Sequence, residues 1–394
     1  MKKRQSGIKV RLFNIFIICM LLFPSCIRHV NISHQEITVK KINRIDPLRK
    51  QAAAITSSMS DNLLAAHVLI SGIDGRGKLS SDTQTLFKEV PTGGLMLFRY
   101  NLNTNTDDIR NFIDEAVTLI KDESQIPPFI AVDHEGGTIN RFLPSVTILP
   151  SASSYWEQFT NEGREATLAK IESDSLESGL IINELGVNMN FAPVAEYLSD
   201  ENRRFLSARS YGPDPIFTAH AASSFMRGME KAGILCVVKH FPGSAGTDPH
   251  HAVSVLHMDK HSLNRFVYPF AVLINQGARA VMAAHTLAPA IDTRIASLSP
   301  VVMQNWLRGE LGFDGIIVSD DFIMAAAGDQ HPSDAAVQAI AAGADMILIW
   351  PGHLRQTHNT ILAALENGRL SKDRLINAVN RIIYEKLRLG LIEQ

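Results

Sequence analysis

The chain has 394 residues, with 38 Lys and Arg against 40 Asp and Glu and a formal net charge of -2. That balance, spread along the chain without blocks, gives no electrostatic footprint for nucleic acid. Hydrophobic residues make up 45% and charged residues 20%, the composition of a globular chain able to bury a large core.

At the N-terminus Lys2, Lys3, Arg4, Lys9 and Arg11 precede a mainly apolar stretch from Leu12 to Phe23, the basic and apolar regions of a secretory signal. The stretch is short for a membrane span, which needs ~20 apolar residues. It stops at Phe23-Pro24-Ser25-Cys26, which resembles the lipobox of bacterial lipoproteins. That resemblance implies a signal over residues 1–25, acylation of Cys26, and a lipid-anchored, exported protein in the bacterial cell envelope. An uncleaved anchor or plain secretion is the alternative. Besides Cys26, only Cys19 and Cys236 are present, so no disulfide framework is expected. Cys236 lies in the apolar run 233–238 and reads as a buried, inert thiol.

Residues 26–59 are polar, lack a sustained period, and read as a tether leading into a first helix. Short apolar runs suited to buried strands then follow at 68–73, 95–98, 129–132, 188–192, 235–238, 280–284, 315–318 and 345–349. Apolar residues at helical spacing lie between most of them, as in 107–121, 162–185, 215–231, 261–276 and 301–311. Eight alternating strand and helix units predict an α/β fold, a single-domain (β/α)8 TIM-type barrel over residues 60–394. A doubly wound open sheet is the structural alternative. Its glycine-rich phosphate fingerprint is missing, because the glycines of 72–77 do not have G-x-G-x-x-G spacing.

In such a barrel the active site forms at the C-terminal ends of the strands. The residues just past the apolar runs are unusually polar: Arg99, then Asp133-His134-Glu135-Gly136-Gly137, Lys239-His240, His285, and Ser319-Asp320-Asp321. Carboxylates, cations and imidazoles converging on one mouth suit a hydroxyl-rich sugar ring and acid/base work on a glycosidic oxygen.

These segments resemble glycoside hydrolase family 3, in its single-domain β-N-acetylglucosaminidase (β-N-acetylhexosaminidase) branch. The resemblance is carried by Asp133 to Gly137 with Arg141, Asn190 to Val194, Arg209 to Gly212, Lys239 to Gly243, Ala284-His285, Ser297 to Pro300, Gly315 to Asp321, and Gly343 to Asp345. It runs in family order from about residue 60 to 392.

The resemblance implies a retaining hydrolysis of β-linked N-acetylhexosamine with Asp320 as nucleophile, and Asp321 as the better candidate for a helix cap. It maps an Asp-x-His acid/base dyad onto Asp248 and His250, in a loop two residues shorter than the family pattern. His251 as acid/base, or a loop that has lost the role, are the alternatives. Substrate contacts map to Asp133, Arg141, Arg209, Lys239 and His240, with a structural ion pair as the other reading of Arg209. Glu135, Glu196 and His285 are expected behind them.

No cofactor is implied, and no metal site is expected because the histidines lack H-E-x-x-H or Cys/His spacing. The expected partner is an oligosaccharide, from cell-wall fragments or chitin, bound by a monomer. A β-glucosidase of the same family and a catalytically silent sugar-binding lipoprotein are the competing functions. Water and phosphate are both acceptors that the resemblance allows for the glycosyl group.

Overall fold

Eight short parallel strands, buried on both faces, curl round to meet themselves. They are β1 (Leu69–Gly72), β2 (Gly94–Leu97), β3 (Phe129–Val132), β4 (Met189–Asn190), β5 (Leu235–Phe241), β6 (Ala280–Ala283), β7 (Ile316–Ser319) and β8 (Ile347–Ile349). These come from a computed structural model that describes residues 46–102, 104–248, 251–323 and 330–393. The order is β8-β1-β2-β3-β4-β5-β6-β7, every neighbouring pair parallel. A parallel bridge between Val318 and Met346 joins the two ends, with Ser319 N donating to Met346 O at 2.9 Å. The (β/α)8 barrel expected from the sequence is therefore present, and the open sheet is excluded.

The runs read as strands because helices cover the outside and side chains fill the inside, leaving no wet face to demand polar alternation. Helix boundaries follow local chemistry. The Thr106–Ser124 helix is capped by Asn105, and the Pro215–Lys231 helix by Asp214 with proline in its first turn. The helix expected over 162–185 is present as Arg164–Glu184, and a separate helix, Ala152–Glu162, precedes it, parted from it at Gly163 with φ 85°. That expected over 261–276 is divided, into Lys260–Phe266 and Tyr268–Asn275, where Pro269 cannot donate a backbone bond. Residues Val301–Glu310 take the wider π-helical form.

The last part of the segment read as a tether over 26–59 is a helix, Pro47–Ser57. Asp46 caps it by accepting from Leu48 N at 3.0 Å, and also accepts from Tyr384 Oη at 2.7 Å in the terminal Lys372–Arg388 helix. The signal expected over 1–25, Cys26 and the tether up to residue 45 lie outside the described residues.

At the N-terminal end of the barrel Asp345 is fully buried and gathers Arg308 at 2.6 Å, Arg374 at 3.0 Å and Arg381 at 3.4 Å. It also accepts from Ile317 N at 3.0 Å, tying β7 to the start of β8. The Gly-Ala-Asp segment thus has a structural task, at the end of the barrel away from the polar strand ends. Cys236 is free and buried, and burial pushes its thiol up.

Candidate active site

The site grows from the end of β3. Asn190, closing β4, accepts from His134 N and donates back to His134 O, both at 2.9 Å. The His134 ring meets Ser178 Oγ at 2.7 Å, and burial pulls it down to about 4, so it stays neutral. This fixes the backbone between Asp133 and Glu135. The chain then turns sharply at Gly136, with φ 95°, where a Cβ would stand 2.1 Å from Pro150 O.

Lys239, at the C-terminal end of β5, is only 3% exposed. Its ammonium lies 2.8 Å from Asp133 Oδ1 and 2.6 Å from Glu135 Oε1. Arg141 Nη2 meets Asp133 Oδ2 at 3.0 Å. Arg209 grips Glu135 through Nε and Nη2, each at 2.8 Å, and stacks over Phe205 at 5.2 Å. Burial alone would raise both acids, but Lys239 with Arg141 holds Asp133 below the usual carboxylate range, and Lys239 with Arg209 holds Glu135 far below it. Arg209 is thus an ion-pair partner of Glu135 and at the same time lines the pocket described below.

His240 comes next along β5. Its Nδ1 lies 2.7 Å from Glu196 Oε1 and its Nε2 3.4 Å from Arg209 Nη2. A guanidinium only donates, so the network assigns Nδ1–H to Glu196 and leaves Nε2 as acceptor. Glu196 also accepts from His240 N, Ser244 N and Ser244 Oγ. One buried carboxylate therefore anchors both the imidazole and the root of the loop that carries Asp248. Ala245 N bonds Ser254 Oγ at 2.8 Å, pinning the same loop at its other end. Asp248 is partly buried there, and His251 stands with Nε2 3.9 Å from Asp248 Oδ2 and its side chain 83% exposed. His250 lies outside the described residues.

Asp320 leaves the end of β7, its backbone N donating to Ala283 O at 3.2 Å and its Oδ1 accepting from Asp321 N at 2.9 Å. His285 receives Ser297 Oγ on Nδ1 at 2.7 Å and donates from Nε2 to Asp321 O at 2.9 Å. Asp321 accepts from Ile323 N at 3.0 Å, a local cap-like turn.

One pocket of about 160 Å³ is lined by Asp133, Glu135, Arg141, Arg209, Lys239, His240 and Asp320. All five expected substrate contacts and the expected nucleophile thus share one wall. Asp248 does not line it. Ile139, Phe191, Phe205, Met282 and Leu348 complete it and were not expected as site residues. For Phe191, Met282 and Leu348 the available signal is that apolar strand residues of one parity face the barrel axis. Among the described residues no three His, Cys, Asp or Glu side chains are placed to hold a metal ion.

The lowered carboxyl of Glu135 fixes a pH dependence of stability. Its contribution is fully present above the unfolded value of ~4.3 and is lost as pH falls below that toward its low folded value. Glu135→Gln should destabilise the fold at pH 7 by about 3–5 kcal/mol, because Lys239 and Arg209 lose a buried partner. In urea titrations the gap from wild type should be constant above about pH 5 and narrow below about pH 4. A gap that stays unchanged down to pH 3 contradicts the assignment.

A family model described as "Glycosyl hydrolase family 3 N terminal domain" matches residues 63–384. The β-hexosaminidase of Methylococcus capsulatus is 35% identical over 301 residues, covering 74% of this chain and 84% of its own. That of Neisseria gonorrhoeae is 31% identical over 277 residues, covering 69% of this chain and 75% of its own. Among solved structures, the glycoside hydrolase family 3 β-N-acetylglucosaminidase from Paenibacillus sp. str. FPU-7 matches with a TM-score of 0.77 and 31% identity. The match covers 86% of this chain and 64% of that longer one, just under two thirds of it. With its barrel, its strand-end charges and a family match running almost from first strand to last helix, the chain belongs to glycoside hydrolase family 3.

Proposed function

We propose that this chain is a retaining, exo-acting β-N-acetylhexosaminidase that releases N-acetylglucosamine from cell-wall fragments or chitin-like oligosaccharides. The observation that carries the reading is the pocket in which Asp320 faces the Asp133, Arg141, Lys239, Arg209 and His240 cluster. Relatives named β-hexosaminidase at 31–35% identity support the same activity.

Asp133, kept ionised by two cations, accepts from ring hydroxyls, while Arg141, Arg209, Lys239 and His240 surround the sugar. The Asp320 carboxylate attacks the anomeric carbon as the bond to the leaving oxygen breaks, giving a glycosyl-enzyme. His250, oriented by Asp248, gives its proton to the leaving oxygen. It then takes one from the water that displaces Asp320. Glu196 supports the reading indirectly, since it holds the root of that loop against His240.

Nitrophenol release from the N-acetylglucosaminide, with little from the glucoside, is the expected outcome. Equal turnover of the glucoside would favour a β-glucosidase, and turnover of neither a silent sugar-binding protein. His250→Ala should slow disaccharide cleavage by ~100 to 10,000-fold and spare a dinitrophenyl glycoside, whose leaving group needs no acid. If His251→Ala shows that asymmetry instead, the acid/base is one position further on.

The lipobox-like segment supports anchoring in the bacterial cell envelope through an acylated Cys26. Cys26→Ser should leave the membrane fraction, because the diacylglycerol supplies the two chains that stable anchoring needs. A wholly soluble, unacylated wild type contradicts the anchor.

A further inference from the structure

The Asp320 carboxylate has one hydrogen bond among the described residues, which its Oδ1 accepts from Asp321 N at 2.9 Å. Its direction therefore depends on where the Asp321 peptide is held. Asp321 is gripped on three sides. His285 Nε2 donates to its carbonyl at 2.9 Å, Ile323 N donates to Oδ1 at 3.0 Å, and the Trp350 indole N–H donates to Oδ2. The third grip is the one that crosses from β7 to the strand on its far side.

Trp350 follows β8 by one residue and stands two residues after Leu348, which lines the sugar pocket. Strand alternation puts the two on the same side, Trp350 one level nearer the mouth. Its ring stacks on Phe98 at 4.8 Å and 12°, and Phe98 stacks on Tyr100 at 5.9 Å and 7°. Tyr100 Oη donates to Ile73 O at 2.9 Å, and Phe98 N donates to Asn101 Oδ1 at 2.9 Å, so the stack is tied to the loops after β1 and β2. At the end of β1, Gly72 keeps that corner open, since a Cβ there would stand 3.7 Å from the Trp350 ring and 3.2 Å from Pro351. The indole is thus a rigid donor rather than a mobile rim residue.

We propose that Trp350 is a positioning residue for Asp320: its indole N–H fixes the Asp321 carboxylate, and through it the peptide that aims the nucleophile. The proposal rests on the reading of Asp320 as nucleophile. Burial raises the Asp321 carboxyl, while the Ile323 and Trp350 N–H groups favour its ionised form. Asp320 and His285 are the charged or titratable groups that act on it. Without the indole donor a half-buried carboxylate loses one of its two hydrogen bonds, and the turn has reason to shift.

Trp350→Phe keeps a ring to stack on Phe98 and removes only the donor. A hydrogen bond to a charged group is worth roughly tenfold or more. The expected result is a fall of about tenfold or more in kcat/KM for the dinitrophenyl N-acetylglucosaminide, with the inhibition constant of N-acetylglucosamine within about twofold of wild type. Asp321→Asn should lose a similar factor, and the double variant no more than the worse single one, since both remove one interaction. Benzothienylalanine at position 350, which keeps the indole shape without N–H, should reproduce the loss at an unchanged melting temperature. An active Trp350→Phe, weakened inhibitor binding with intact turnover, or losses that simply multiply would overturn the positioning role. A wild type that turns over no N-acetylglucosaminide would overturn the nucleophile reading beneath it.

Discussion

The buried ammonium of Lys239 is the constraint from which the mouth of the barrel is built. A desolvated cation demands carboxylates, and Lys239 has two, Asp133 and Glu135, which the turn after β3 presents within 2.8 Å. Two acids on one cation leave negative charge over, and Arg141 and Arg209 take it up from outside. Arg209 in turn sets the hydrogen-bonding state of His240, His240 engages Glu196, and Glu196 holds the start of the loop toward Asp248. A chain of pairings that satisfies one buried lysine thus presents two carboxylates, three cations and an imidazole to the same small pocket.

Preorganisation is what this chain of pairings contributes. The charged side chains of the pocket are fixed in advance by bonds to each other and to strand ends, so little reorganisation is left for binding or reaction. Asp320 differs. Among the described residues its carboxylate has a single hydrogen bond, it is partly buried, and its support comes indirectly through Asp321, His285 and Trp350. In the nucleophile's role proposed for it, a carboxylate held by its neighbours' backbone keeps its own oxygens available for the anomeric carbon.

The sequence discloses those parts of the molecule whose physics is local. Doubly buried parallel strands must be apolar throughout, so all eight were visible as short runs, and the residue after each run was a rational place to look for chemistry. Asp133, Lys239, His240 and Asp320 were found that way. The pairings that give them meaning were less visible, because Lys239 and Asp133 lie 106 residues apart, and Trp350 and Asp321 29 apart. No periodicity links such residues. Some local signals were present and outweighed. Asp46-Pro47 is a helix start that the polar surroundings of the supposed tether concealed, and Pro269 breaks a helix that apolar spacing alone would run through. Asp345 was visible as part of a motif, but its position before β8, among three arginines, makes it a structural hub rather than a site residue.

The central claim is that Asp320 forms a covalent bond to the sugar. It is tested most directly by inactivating the full chain with a 5-fluoro glycosyl fluoride of N-acetylglucosamine, which accumulates a glycosyl-enzyme, and sequencing the labelled peptide by mass spectrometry. The account predicts one sugar per chain, on the Asp320 side chain. A label on Asp321 or Glu135, or continued turnover with no labelled peptide, would contradict it.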